Sequence, residues 1–282
     1  MTISPNTHNY ILHPMSRIIR PYSFFCVLLT AYFLVPVITQ SQTSGGNLAV
    51  KLDTMTLFDS TRNRPIPVAF YYPKANDTQK PAKQKSEKQK LVIFSHGYGA
   101  NKGGDNLTYS YITEKLASEG YFVASIQHEL PTDDLIPLTG VPQVVRRPFW
   151  ERGVVNILFV LKALSKSHPT LDFEHCVLMG HSNGGDMTAL FAEKYPHLVD
   201  KIITLDNRRM ALPRTHKPRV YSIRSSDQPA DVGVLPSDEE QKKFGITIVK
   251  LPNTIHNDMD NNANTAQRKE INDYIARFLQ ER

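Results

Sequence analysis

The chain has 282 residues, 40% of them hydrophobic and 21% charged, with a formal charge of +6 and two cysteines. That length can bury one large core or two small ones. Much of the positive charge sits in residues 80–90, and no basic stripe interleaved with aromatics follows, which argues against a nucleic-acid partner.

Residues 1–41 hold no acids; Arg17 and Arg20 precede an apolar run at residues 22–38, and the small residues Thr39 and Ser41 come next. This is the pattern of an export signal, with an uncleaved membrane anchor as the alternative reading. Pro36 and the polar tail favour cleavage, and Phe25-Cys26 lacks the small residue that a lipoprotein site requires. A secreted or periplasmic location is therefore expected, with membrane contact only through residues 22–38 if they are retained. Of the 33 lysines and arginines, two belong to this leader, so the remainder carries 31 basic against 27 acidic groups, a modest +4. Cys26 falls in the leader and Cys176 in an apolar run, so the folded part, expected over 45–282, should hold no internal disulfide.

Residues 49–58 alternate apolar and polar side chains, as a half-buried strand does, and the turn Arg62-Asn63-Arg64-Pro65 leads into a second strand over 66–72. Residues 75–90 are polar and lysine-rich and are expected to form a solvated loop. Leu91-Val92-Ile93-Phe94 is a continuous apolar run, the mark of a strand buried on both faces. It ends in His96-Gly97-Tyr98-Gly99. A helix is predicted over 107–118, stopped by Gly120, then a strand over 121–126 and an irregular stretch, 128–148, with four prolines. A helix over 150–164 follows. An apolar strand at 176–179 then runs into Gly180-His181-Ser182-Asn183-Gly184, and a helix is expected over 187–192. Strands at 201–205, 219–223 and 246–251 precede a closing helix whose apolar face is Ile271, Tyr274, Ile275, Phe278 and Leu279. Strands alternating with helices predict an α/β fold: a mostly parallel sheet covered on both faces.

The pattern G-x-S-x-G between a strand and a helix points to a nucleophilic serine, Ser182, on a sharp turn that its flanking glycines permit. Such a serine needs a base, an acid to orient the base, and donors for an oxyanion. His256 follows the last strand and precedes the last helix, which suits the base. Asp227, four residues beyond the strand at 219–223, is the first choice for the acid. Asp206 and Asp231 are alternatives, and Asp206 has Arg208 and Arg209 as immediate candidates for a surface ion pair. The backbone N–H groups of Tyr98 and Asn183 are the expected oxyanion donors. Tyr98, Phe149 and Trp150 are candidates to line a pocket, with core packing an equal alternative for the last two.

Three segments, Ile93 to Ala100, Leu116 to Ala124 and Met179 to Gly185, resemble the α/β-hydrolase superfamily. Within it the chain is similar to platelet-activating-factor acetylhydrolase, dienelactone-hydrolase-like and cutinase-like esterases, over residues 49–280. The resemblance implies ester hydrolysis through a serine acyl-enzyme, with no metal or organic cofactor. Its subgroups differ on the acid: Leu205-Asp206 with Met210 and Pro213 matches the acetylhydrolases, whereas the cutinase-like pattern points to Asp227. Ser182 departs from the cysteine of the dienelactone hydrolases proper. Residues 207–218 are too few for the cap domain that many members insert, so an open site is expected, unless 128–148 folds over it. The substrate would be an ester, small or linked to a lipid or polymer. Acyl transfer, peptide hydrolysis and a catalytically silent binding protein are the competing readings.

Overall fold

The computed structural model describes residues 48–74 and 88–281, which lie within the unit Gly45–Arg282. The leader-like segment 1–41 and most of the lysine-rich loop fall outside the described residues. Among those described, eight strands form one sheet in the order β1-β2-β4-β3-β5-β6-β7-β8. β1 (Val50–Asp59) and β2 (Arg64–Pro73) form the expected antiparallel hairpin, and β2 runs antiparallel to β4 (Phe122–Ile126). From β4 onward every pairing is parallel, through β3 (Gln89–Ser95), β5 (Leu171–His181), β6 (Lys201–Leu205), β7 (Arg219–Arg224) and β8 (Thr247–Lys250).

Parallel neighbours need crossovers, and the helices supply them. α1 (Ser110–Ser118) and α6 (Thr265–Gln280) cover one face; α3 (Arg147–Ser167) and α4 (Asn183–Lys194) cover the other. The apolar run of β3 is divided between them by the two-residue period of a strand. Leu91 and Ile93 join Trp150, Ile157 and Leu190 in one cluster, while Val92 and Phe94 join Ile112, Ile271 and Phe278 in the other. β3 leads to β4 on one side, and β4 returns to β5 on the other side of β3. The carboxyl ends of β3 and β5 therefore flank the point where strand order reverses, which is where open α/β sheets place their sites.

Boundaries differ from expectation for local reasons. The first helix begins at Ser110, because Asp105–Leu107 forms a separate 3-10 turn. α3 starts three residues early, with Pro148 in its first turn where no N–H is needed, and β5 is longer than its apolar segment. Within 128–148 the structure adds the short helix α2 (Pro142–Val145). This stretch is held down by Arg64, which grips both oxygens of Asp133 at 2.8 and 2.7 Å, and by the Ile136 N–H, which donates to the Tyr98 hydroxyl at 3.1 Å. A second helix was not anticipated, α5 (Asp238–Phe244). Its signals were present in the sequence: Ser237 and Glu240 form a reciprocal capping box, and Gly245 closes the helix in the left-handed region at φ 67°.

No helical cap stands between β6 and β7, as expected from the short connection. The connection is instead fixed by Asp186, in the first turn of α4. Its Oδ1 accepts the backbone N–H groups of Arg208, Arg209 and Met210 at 3.2, 2.9 and 2.8 Å. Burial pushes this carboxyl up to about 6. Asp186→Ala, which orphans three donors, is expected to cost about 3 kcal/mol or more in thermal or denaturant unfolding. Asp186→Asn keeps an acceptor oxygen and should cost far less. The folded-state pKa exceeds the unfolded value near ~3.9, so ionisation of Asp186 opposes folding, increasingly as pH rises from about 4 to about 6. The stability of Asp186→Asn relative to wild type should therefore improve across that window and level off above it; a constant difference in unfolding free energy would refute this.

Candidate active site

Ser182 caps α4 at φ 52° and ψ −119°, a strained conformation for a residue with a side chain. The turn closes because its flanking glycines touch backbone. A Cβ on Gly180 would lie 2.3 Å from the Gly184 carbonyl oxygen, and one on Gly184 would lie 2.3 and 2.4 Å from the carbonyl oxygens of Ser95 and His96. The Ser182 N–H donates to the Leu205 carbonyl at 2.8 Å, which ties the elbow to the end of β6.

His256 lies in a 3-10 turn between β8 and α6, with its Nε2 2.9 Å from the Ser182 Oγ. The structure thus brings together the serine and histidine selected from the sequence. It does not bring Asp227 to the imidazole. His256 Nδ1 lies 2.5 Å from Asp206 Oδ2, while Asp227 Oδ1 accepts the backbone N–H of His256 at 2.7 Å. The choice of Asp227 as the acid is therefore corrected to Asp206, and Asp227 holds the histidine's backbone. Asp231 is remote from the imidazole in its bonding: it pairs with Arg209 and accepts from Gln143 at 2.9 Å.

The reason lies in the sheet. β6 is the immediate neighbour of β5, so a residue directly after β6 stands beside Ser182, and Asp206 leaves the strand at φ 52°. The ion pair expected with Arg208 and Arg209 does not form. Asp206 pairs instead with Arg224 at 2.9 Å and accepts the Ser225 N–H at 2.9 Å and the Ser225 hydroxyl at 2.8 Å. Burial alone would push this carboxyl up. The His256 hydrogen bond, the Arg224 guanidinium and the two Ser225 bonds outweigh burial and hold it below the usual carboxylate range. Arg224 ends β7, and a charge following the apolar Ile223 was the available signal for it in the sequence.

The N–H groups of Tyr98 and Asn183 have no protein acceptor among the described residues. Asn183 directly follows the serine, and the turn that holds Tyr98 lies against it: a Cβ on Gly97 would stand 3.4 Å from the Ser182 Cβ. Gly97 N–H donates to the Tyr109 hydroxyl at 3.0 Å, and that hydroxyl lies 2.8 Å from His181 Nδ1. Burial, with His256 adjacent, pushes His181 down to about 3, which keeps the ring that meets the Tyr109 hydroxyl neutral. One phenol thereby joins the turn after β3 to the nucleophile elbow. On the far side, Asn183 accepts from the Trp150 indole N–H and donates to Glu129 Oε1, both at 2.9 Å. Glu129 is buried and its carboxyl is pushed up by desolvation. Nothing in the local sequence marked Glu129 or Tyr109, whose partners are brought together only by the fold.

Of the proposed pocket residues, Trp150 is fully buried and serves both as core and as this hydrogen-bond donor. Phe149 lies beneath the Arg152 guanidinium, 5.2 Å from ring centroid to Cζ, and Tyr98 holds the 128–148 stretch. Beside Trp150 opens a cavity of about 550 Å³ walled by Arg147, Arg209, Met210, Asp231 and Val234. Among the described residues, no cluster of three or more histidine, cysteine or acidic side chains is arranged to hold a metal ion. Cys176 is a buried free thiol, its pKa raised by desolvation.

The fold and the serine turn define the class: this is the α/β-hydrolase fold, as the sequence resemblance implied. The family model for platelet-activating factor acetylhydrolase, isoform II, matches residues 65–132, from β2 through the turn after β3 to Glu129 and just beyond. No curated protein matches the chain. Among solved structures, esterase Est22 superposes with a TM-score of 0.58 at 13% identity, covering 83% of this chain and 82% of its own. Fungal esterases from Rhizomucor miehei give 0.56 at 18% identity, with 86% of each chain covered. A bacterial heroin esterase gives 0.56 at 15% identity, covering 86% of this chain and 87% of its own. At these identities the likeness is one of fold.

Proposed function

We propose that this chain is a serine hydrolase that cleaves carboxylic esters through Ser182, His256 and Asp206. The observation that carries the reading is the unbroken relay from Ser182 Oγ through both ring nitrogens of His256 to a buried, charged Asp206, beside two N–H groups without protein acceptors. His256 Nε2 takes the Ser182 proton as Oγ attacks the ester carbonyl. Asp206 orients the imidazole and stabilises the imidazolium without taking its proton. The N–H groups of Tyr98 and Asn183 receive the tetrahedral oxyanion. His256 then protonates the leaving alcohol, and water repeats the sequence on the acyl-enzyme to release the acid.

The family match over residues 65–132 and the esterases among the fold neighbours support an ester substrate; acylaminoacyl peptidases superpose with TM-scores of 0.56 and 0.58, so a matched amide substrate is the comparison that separates ester from peptide hydrolysis. The leader-like segment supports delivery outside the cytoplasm, which N-terminal sequencing of the exported protein would test. The chemistry has a direct test. A neutral fluorophosphonate should label wild type on Ser182, and Ser182→Ala should lose both labelling and about 10⁵–10⁶-fold of its turnover on p-nitrophenyl valerate. Absence of an adduct on Ser182 would return the chain to the silent-scaffold reading.

A further inference from the structure

The cavity beside Trp150 is amphiphilic in a specific way. Trp150, Met210 and Val234 supply apolar wall, while Arg147 and Arg209 bring guanidinium groups to it from two different elements. Its volume of about 550 Å³ suits a small organic group. Two tethers link its wall to the start of α4, the helix that Ser182 caps. Trp150 donates to the side chain of Asn183, the residue after Ser182; Arg209 and Met210 are fixed by Asp186, one turn further along the same helix.

Arg147 pairs with Glu151 at 2.9 Å, a carboxylate that also answers Lys194 at 2.5 Å, so cations outnumber the acids that answer them here. Arg146 and Arg208 stand beside Arg209, and among the described residues neither forms an ion pair. Arg146 donates its Nε to the Pro137 carbonyl at 3.2 Å, and Arg208 donates to the neutral Gln228 and Pro229. Burial first, then the neighbouring Arg209 and Arg208, lowers the Arg146 pKa against the opposing pull of Asp186 and Asp231, so positive charge is crowded here. Asp186 is buried and committed to three backbone N–H groups. Asp231 is the one carboxylate on the cavity wall, held by Arg209 and Gln143. Arginine forks of this kind recognise carboxylate and phosphate oxygens in pairs.

We infer that this cavity is a subsite for an anionic group, carboxylate or phosphate, carried by the ester's acyl or alcohol part at a distance from the scissile bond. The inference rests on the esterase reading for its location in the reaction, but not for its binding chemistry. Asp231 pairs with the Arg209 fork that the ligand anion would share.

The experiment compares kcat/KM for p-nitrophenyl hemiglutarate with that for p-nitrophenyl valerate, its neutral counterpart of equal acyl length, at low ionic strength. The anionic-to-neutral ratio should fall at least tenfold in the double variant Arg147→Gln, Arg209→Gln. It should rise several-fold in Asp231→Asn, a gain that a merely structural role for these residues would not produce. The double variant Lys162→Gln, Lys166→Gln, at exposed positions towards the far end of α3, is the charge-matched control and should leave the ratio at the wild-type value. Calorimetric titration of wild type and the arginine variant with glutarate, and separately with phenyl phosphate, distinguishes carboxylate from phosphate and needs no turnover. Binding of either that weakens at least tenfold in the variant supports the subsite. A ratio that moves in neither Arg147→Gln, Arg209→Gln nor Asp231→Asn, with no titratable binding of either anion, overturns it. If neither ester is hydrolysed but an anion still binds through the arginines, the esterase reading fails and the subsite stands.

Discussion

Asp206→Asn should lower kcat/KM on a p-nitrophenyl ester by about 10⁴-fold, close to 5.5 kcal/mol of transition-state stabilisation. Asp227→Asn should lower it by less than about tenfold. The asymmetry follows from what each carboxylate holds. Asp206 Oδ2 accepts from His256 Nδ1, so an amide there can present an N–H, reverse the tautomer and remove the basic nitrogen from Ser182. Asp227 accepts only the His256 backbone N–H in this arrangement, and an asparagine oxygen can accept it equally well. Stability separates the two variants as well. Arg224 is nine-tenths or more buried against Asp206, and losing that charge should cost about 3–5 kcal/mol in unfolding free energy. Activity must therefore be measured below the lowered Tm. Because the folded-state pKa of Asp206 is depressed, its contribution is present above the unfolded value near ~3.9 and is lost as pH falls through the folded value. Comparable losses in the two variants, or a larger one in Asp227→Asn, would remove Asp206 from the relay.

Gly184→Ala carries the second large effect, on both stability and turnover. The added methyl would stand 2.3 Å from Ser95 O, 2.4 Å from His96 O and 2.5 Å from Ser95 C. All three are backbone atoms at the end of β3, a central strand that cannot recoil as a flexible side chain could. Relief requires α4 to withdraw or the turn after β3 to shift. Either movement separates the Asn183 N–H from the Tyr98 N–H, the two donors proposed to receive the oxyanion. The expected result is a loss of more than about 3 kcal/mol in stability, at the upper end of overpacking costs, and at least about 10²-fold in kcat. Thermal unfolding and single-turnover acylation with p-nitrophenyl valerate measure the two parts. A variant with wild-type Tm and wild-type acylation would show that the contact between α4 and β3 is not required.

Where sequence reasoning succeeded, the information was local. The G-x-S-x-G turn needs particular backbone conformations within five residues, and the strand before it and helix after it declare themselves by composition. His256 was legible because one loop lay between the last strand and the last helix. The acid failed because its assignment turned on which loop reaches the imidazole, a distance across the sheet. The adjacent Arg208 and Arg209 made Asp206 look like half of a surface pair; in the fold those side chains turn to Gln228 and Asp231, and Arg224 arrives from the next strand. α5 went unnoticed although its caps were written in the chain, because a seven-residue helix has too little apolar periodicity to register.

The sequence alone determined that a serine would be held at a strained turn between a buried strand and a helix, with a histidine following in the last loop. Those features depend on backbone preference and on hydrophobic period, which act over a few residues. Tertiary structure decided everything that joins distant segments. It placed Asp206 beside His256, locked Gly97 to His181 through Tyr109, set Glu129 behind Asn183, and brought Arg147 and Arg209 to one cavity. Each of these depends on strand order, and strand order is fixed by how whole faces of the sheet are buried, which no short stretch of the chain specifies.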